Sequence, residues 1–386
     1  MVKMRRTVLL IRDLLSSPEG PSLVKNSGAA ISRFAQAGTL AKVLPSVPAE
    51  IPKSKGAMPT GTAEATFLGL NPSSIELQDG PLIVSALGAD PPDGSVHFHL
   101  SLMSFDGTRC STPKTRILPQ QIGAVLQESM KLNTKKLTIV AGEQLDHGLV
   151  WEEGSIELGT LPVAAFEGNE LLPNLPEGDG EPMLRRFIDD STNLLSQLPI
   201  NREREEEGLP PLNLLWPWGQ GFRTSVPNLA LRRGEVCHVL SRSLRLQGLT
   251  QLTGYRHGDR KSMGYAVKLS PSSLLEFIRK YDSSLVLIDA FAEMREFGKW
   301  DEMDWMWREL DTGLFRPLFE LSQQEPLDLT VIALSGVDKP VGMQASELGL
   351  SLSYKSGNLG ANSVPFDERA LEERALRSVQ LWEAVW

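Results

Sequence analysis

The alternation of apolar and polar positions divides the chain into a run of buried strands, a mixed middle and a regular second half. Thr7–Ile11 is a β-branched and aliphatic run followed at once by Arg12 and Asp13, which predicts a buried first strand with Asp13 at its carboxyl end. Ser22–Ala37 has helical spacing, with Leu23, Ala30, Ile31, Phe34 and Ala35 on one side and Gly38 as the stop. The Pro-rich stretch Ala41–Gly56 reads as a long loop or an edge segment. Pro59–Asn71 begins in a Gly-containing turn and runs into a short helix that Thr60 or Thr62 would cap.

In the middle, Gly80–Gly88 and Val96–Phe105 read as short strands. The second sets His97, His99 and Ser101 against Val96, Phe98 and Leu100, so its histidines are expected on an exposed side. Pro119–Lys131 and Met183–Leu198 read as helices, Leu137–Ala141 and Gly148–Trp151 as strands, and Leu161–Glu181 as a surface loop. A charged helix end then stops at Gly208, Pro210 and Pro211 make a stiff connector, and Leu212–Trp216 reads as a strand ending in the turn Gly219-Gln220-Gly221. Beyond it, helices at Gly234–Leu246, Ser270–Tyr281, Asp304–Leu321 and Glu368–Trp386 alternate with buried strands at Leu285–Ile288 and Leu329–Leu334. That alternation predicts an α/β fold with a mainly parallel sheet covered by helices on both faces. Residues 1–75 and 210–386 would form this core, and residues 76–209 a smaller inserted α+β domain.

Composition narrows the picture. A chain of 386 residues with a formal net charge of -9 does not offer the basic surface that nucleic acid requires. No apolar run reaches the roughly 18 residues of a membrane span, and Arg12 and Asp13 cut short the one stretch, Thr7–Ile11, that could pass for a signal sequence. Cys110 and Cys237 lie far apart and outside any Cys-x-x-Cys spacing, which suits free thiols in a reducing cytoplasm.

The stretch Pro199–Gly221, PINREREEEGLPPLNLLWPWGQG, resembles the segment by which the archaeal-type cofactor-independent phosphoglycerate mutases re-enter their core after an inserted domain. Its Trp-Pro-Trp-Gly-Gln-Gly ending is similar to that of a bacterial branch, some members of which have been proposed to be homoserine kinases. The resemblance implies an alkaline-phosphatase-like core with the insert as a lid. It implies an isomerase that interconverts 3-phosphoglycerate and 2-phosphoglycerate through a phosphoenzyme, using two Mn or Mg ions and taking a small phosphorylated metabolite.

Carried over residue by residue, the resemblance places Asp13 at the first metal ligand, though Leu14 stands where the family has Gly. Met58-Pro59-Thr60-Gly61-Thr62-Ala63-Glu64 matches the nucleophile segment Pro-Gly-Ser-Asp-Thr-Ala-His in frame, with Thr60 as nucleophile and Gly61 in place of a ligand Asp. A Thr hydroxyl without a metal beside it is a poor nucleophile, and helix capping is the other role open to Thr60. The arginine of a Gly-Arg-Gly substrate segment would fall at Asp79 or Gly80, where an acid would repel phosphate. Glu293 and Asp338 stand as remaining carboxylate ligands, with Lys299 where a histidine belongs and no histidine following Asp338. The basic loop Gly254–Lys261, with Arg256, Arg260 and Lys261, is the candidate for anion contact, a solvated loop being the plainer reading. His238 reads as a packing residue in a helix, and Trp300, Trp305 and Trp307 as core or as a partner surface.

Three functional readings follow. One is a mutase-like protein that has lost most of its metal ligands and, with them, its chemistry and its metal. Another is a phosphoryl-transfer enzyme, mutase or kinase, with a rearranged site built from Asp13, Thr60, Glu293 and Asp338. The last is a non-catalytic binding or assembly protein with a protein partner. The oligomeric state is left open.

Overall fold

The computed structural model describes residues 4–15, 28–44, 62–71, 75, 77–113, 117–166, 168–264, 268–296, 298–335, 349–357, 366 and 377–380. The chain divides into two compact units, Met1–Pro48 with Ala63–Pro72 and Pro227–Trp386, and Ala49–Thr62 with Ser73–Val226.

The first unit is organised by an eight-stranded sheet in the order Arg256–His257, His238–Leu240, Ser283–Ile288, Arg5–Leu15, Leu327–Ser335, Gly349–Lys355, Thr39–Leu44, Ser378–Gln380. The pairs from Arg256–His257 through Leu327–Ser335 are parallel, Gly349–Lys355 is antiparallel to both neighbours, and the last pair is parallel again. Val8, Leu9, Leu10 and Ile11 are all buried, so the central strand is covered on both faces and reads as a continuous apolar run. The sheet is therefore mainly parallel, as the alternation of elements predicts.

A long helical stretch supports one side of this core. Trp300–Leu310 and Arg316–Ser322 are joined by a π-helical turn, Asp311–Phe315. Trp307 is fully buried, edge-on to Phe291 and Phe315. Within the π turn, the buried Asp311 accepts from the backbone N–H groups of Ala30 (3.2 Å) and Ile31 (3.0 Å). It thus supplies the N-terminal cap that the helix Ala29–Ala37 lacks in its own Gly28. Asp311→Ala leaves those donors unpaired and is expected to lower stability by about 1–3 kcal/mol, read as a shift of the urea midpoint at unchanged slope.

The second unit holds an antiparallel sheet with Val96–Phe105 at its centre. Asp146–Trp151 and then Leu137–Glu143 lie on one side, Leu214–Gly221 on the other. One face packs Phe98, Leu100 and Leu102 against Val125 of the helix Pro119–Ser129 and Leu184 and Phe187 of the helix Glu181–Leu195. The helix Asp79–Ala86 lies on the central strand and its neighbours. The motif Asn201-x-x-Arg204 is a structural pin. Asn201 Nδ2 donates to the carbonyls of Leu195 and Leu212, Leu212 N–H donates back to Asn201 Oδ1 at 2.7 Å, and Arg204 Nε donates to Pro210 O. These bonds hold the stiff connector in register with the strand that follows.

Several elements differ from the sequence reading. The segment read as a strand at Gly80–Gly88 is instead the helix Asp79–Ala86; six of the seven residues from Gly80 to Ala86 are buried, so no polar face marks its period. Gly219-Gln220-Gly221 continues the strand Leu214–Gly221 instead of turning away. Gly234 ends a short helix in the left-handed conformation, and His238 lies on a strand, stacked on Tyr281 at 3.6 Å. Residues 378–380 of the expected closing helix form a strand. Thr39–Leu44 is a strand one place in from the sheet edge. Among the described residues no helix is long and apolar enough to cross a membrane.

Candidate functional site

In open parallel sheets the carboxyl ends of the strands carry the ligand site. In the first unit that edge gathers Arg12 and Asp13 from the central strand, Asp289 after Ser283–Ile288, and Arg242 after His238–Leu240. The strand does not stop at Ile11. Its pairing with Leu327–Ser335 slips between Ile11 and Leu15, and within the slip Asp13 adopts φ 57°, a left-handed conformation that costs a non-glycine residue energy. Arg295 clamps this bulge, its Nη2 donating to the carbonyls of Asp13 (2.8 Å) and Leu15 (3.1 Å) while its guanidinium lies 5.3 Å over Trp300.

The charges at this edge are paired with one another. Arg12 Nη1 lies 3.4 Å from Asp289 Oδ1, and Arg245 Nε lies 3.6 Å from Glu64 Oε1. Burial raises the pKa of Asp289; Arg12 and Arg242 oppose that rise, and Glu64 adds to it. Arg260 Nη1 donates to the Arg242 carbonyl at 3.3 Å, so the loop after the edge strand Arg256–His257 joins the same rim. Two hard divalent ions require a dense set of carboxylate and imidazole donors. Among the described residues no three His, Cys, Asp or Glu side chains could hold a metal ion. The described donors do not fit the two-metal centre that the resemblance implies, because guanidinium groups stand next to the carboxylates.

The resemblance would put its Gly-Arg-Gly segment at Asp79 or Gly80, in the second unit. Here Asp79, the first residue of its helix, is fully buried and faces His99. His99 Nε2 lies 2.8 Å from Asp146 Oδ1, Nδ1 lies 3.8 Å from Asp79 Oδ2, and the ring lies against Trp218, centroids 4.6 Å apart and tilted by 31°. Burial alone would drive the proton off His99. The hydrogen bond that the ring donates to Asp146 and the charges of both carboxylates overcome that and hold its pKa up at about 9. At 3.8 Å, Asp79 acts as a charge and not as a hydrogen-bond partner. Trp218 Nε1 donates to Ser101 Oγ at 2.9 Å, which holds the indole against the imidazole. His97 and His147 are buried as well, and burial brings both down to about 4, Arg223 adding to the effect at His97. The expectation that His97 and His99 are exposed is therefore corrected. The helix Asp79–Ala86 covers their side of the strand, so both faces of Val96–Phe105 are buried.

The positions read from the sequence fare differently. Asp13 lies at the carboxyl edge. Glu293 belongs to the helix Ala290–Glu296. Thr60 and Asp338 lie outside the described residues. Arg260 and Lys261 share a 3₁₀ turn capped by Asp259, whereas Arg256 lies on the edge strand, paired in register with His238. Sequence reasoning missed Arg12, Glu64, Arg242, Arg245 and Asp289 as members of one site. The signal for the first was an arginine directly after an apolar strand. Cys110 and Cys237 are buried free thiols outside any disulfide, pushed up to about 12 by burial.

No family model matches the chain. It is 26% identical over 204 residues to a probable 2,3-bisphosphoglycerate-independent phosphoglycerate mutase of Geobacter sulfurreducens, a match that spans half of each protein. It is 21% identical over 289 residues to the Methanosarcina mazei enzyme, 73% of each chain, and 21% identical over 335 residues to that of Methanosarcina barkeri, 84% of each. Among solved structures, a protein from Pyrococcus horikoshii superposes with a TM-score of 0.63 at 14% identity, covering 100% of this chain and 96% of its own. The cofactor-independent phosphoglycerate mutase of Thermoplasma acidophilum gives 0.56 at 17% identity, covering 99% and 98%. The fold is thus alkaline-phosphatase-like, of the cofactor-independent phosphoglycerate mutase kind.

Proposed function

We propose that this divergent relative of the cofactor-independent phosphoglycerate mutases is a pseudoenzyme of the cytoplasm, which binds a small phosphorylated metabolite without moving its phosphoryl group. The observation that carries the reading is the Arg12–Asp289 pair at the carboxyl edge of the sheet. A carboxylate committed to a guanidinium is a poor ligand for a divalent ion, and the positive charge beside it repels that ion. The same rim carries Arg242, Arg245 and Arg260, and guanidinium forks suit phosphate oxygens. The ion pair of Asp79 with His99, where the resemblance puts a phosphate-holding arginine, supports the same reading.

The test combines metal content with turnover. After incubation with Mn and Zn and removal of free ions, mass spectrometry is expected to find well under one metal per chain. Conversion of 3-phosphoglycerate is expected to stay at background, while calorimetry detects 3-phosphoglycerate binding that weakens at least tenfold in Arg242→Ala. About two metals per chain, with turnover abolished by Thr60→Ala, would instead establish the rearranged phosphoryl-transfer site. Absence of both metal and phosphoglycerate binding would remove the metabolite and leave a protein-binding scaffold.

A further inference from the structure

One cation at the carboxyl edge of the first unit differs from its neighbours. Arg12 and Arg245 are committed to Asp289 and Glu64, at 3.4 Å and 3.6 Å. Arg295 stands on the helix Ala290–Glu296, directly after the strand Ser283–Ile288. Among the described residues its hydrogen bonds go to carbonyls and not to a carboxylate. A guanidinium has five N–H donors, one on Nε and two on each terminal nitrogen. At Arg295 Nη2 is used on the carbonyls of Asp13 (2.8 Å) and Leu15 (3.1 Å). Nε and Nη1 are buried and have no hydrogen-bond partner. The Trp300 ring, 5.3 Å from the guanidinium carbon, meets the charge but supplies no acceptor.

Clamping the strand bulge does not account for this arrangement. The two carbonyls need two donors, which a neutral glutamine amide would supply. A guanidinium in the same place costs the desolvation of a charge and of N–H groups that the bulge does not use. Buried polar groups without partners are few in native folds, and a bound ion is one of the recurring reasons for them. The partner that Nε and Nη1 call for must accept several hydrogen bonds and carry negative charge. Phosphate oxygens do both, and charge-assisted bonds to them are among the strong ones.

We propose that Arg295 is the seat of the ligand's phosphate group at this edge, Nε and Nη1 donating to it while Nη2 keeps its hold on the carbonyls of Asp13 and Leu15. For the identity of the ligand this rests on the metabolite-binding reading above, and it names the side chain through which that binding is made. Both nitrogens are buried, so the anion reaches them only as the packing beside the helix Ala290–Glu296 opens. Association is therefore expected to be slower than diffusion.

The test reads the Arg295 Nε–H signal by nuclear magnetic resonance in the full-length protein labelled with ¹⁵N-arginine. The signal is assigned by its loss in Arg295→Lys or by its Overhauser contacts with Trp300. The probes are 3-phosphoglycerate, inorganic phosphate and glycerate. The first two are expected to shift the signal and glycerate to leave it in place. Calorimetry is expected to show 3-phosphoglycerate binding weakened at least tenfold in Arg295→Gln, which keeps a donor for the bulge without the charge. Arg295→Lys keeps the charge without the fork and should weaken it by a smaller factor. Circular dichroism checks that both variants fold, and the shift in the natural protein decides the matter if one does not. Weakened binding in the variants with no shift in the natural protein would reduce Arg295 to a clamp of the bulge and overturn the seat. Binding that survives Arg295→Gln, or no shift with any probe, would overturn it as well. A shift with glycerate equal to that with 3-phosphoglycerate would overturn the phosphate in favour of the carboxylate. If phosphate shifts the signal while 3-phosphoglycerate neither shifts it nor binds, the seat stands and the metabolite reading fails.

Discussion

His99→Leu is expected to cost the second unit about 3–5 kcal/mol at pH 7, because it removes the imidazolium that faces the fully buried carboxylate of Asp79 and that holds Asp146. The pH dependence follows from the direction of the shift. The folded pKa of His99, about 9, lies above the ordinary value of 6.5. Its contribution is therefore complete below about pH 6.5 and is lost as pH rises through 9, a change on the order of 3 kcal/mol. His97 and His147 run the other way. Their folded values near 4 lie below the ordinary one, so their contribution is present above about pH 6.5 and lost as pH falls through 4. The unit is thus expected to be most stable near pH 6.5. Hydrogen exchange of the Val96–Phe105 amides, corrected for intrinsic rates, reads this locally. Protection in the natural protein should fall between pH 6.5 and 9, and His99→Leu should be less protected at pH 7 and lack that alkaline fall. Flat protection across that range would show that His99 is not held charged, and the account of the Asp79 site would fail with it.

The parallel sheet was legible because its strands are buried on both faces. Leu285–Ile288 and Leu329–Leu334 are runs that no exposed element could carry. The same double burial hid the rest. In Asp79–Ala86 nearly every side chain is covered, so period 3.6 leaves no polar stripe, and a short apolar segment reads equally as strand or helix. The alternation of His97 and His99 with Val96, Phe98 and Leu100 gave the strand correctly but the exposure wrongly. Alternation marks two faces; it does not say that one of them is wet. At the carboxyl edge, Asp13 could be placed by the end of an apolar run. The partners that define its surroundings could not, because Arg12–Asp289 and Arg295 with Asp13 join residues more than 270 positions apart. Pairing across a parallel sheet is set by topology, which local pattern does not contain.

Gly80→Val is expected to destabilise the second unit by about 3 kcal/mol or more, with Gly80→Ala intermediate. A Cβ at position 80 would run into the carbonyl oxygen of His97 and the Cα of Phe98, which are backbone atoms of the central strand and cannot rotate aside. The helix Asp79–Ala86 would have to lift away from the sheet, and overpacking that moves backbone lies at the costly end of its range. Lifting it would also separate Asp79 from His99, so both variants should lose part of the alkaline fall in protection described for His99. Gly123→Ala is the matched control. It lies in the helix Pro119–Ser129, a Cβ there meets nothing within 4 Å, and the change should stabilise by up to about 1 kcal/mol through helix propensity and a stiffer unfolded chain. If Gly80→Ala matched the natural protein, the close approach of helix to strand would be wrong. If it destabilised without altering the pH profile, the approach would be right but independent of the ion pair. The expected result, both effects together, separates two demands within one short segment. The glycine is required by the distance between helix and strand, whatever the neighbouring residue does. The residue before it, Asp79, is required by the charge of the buried His99 that it faces.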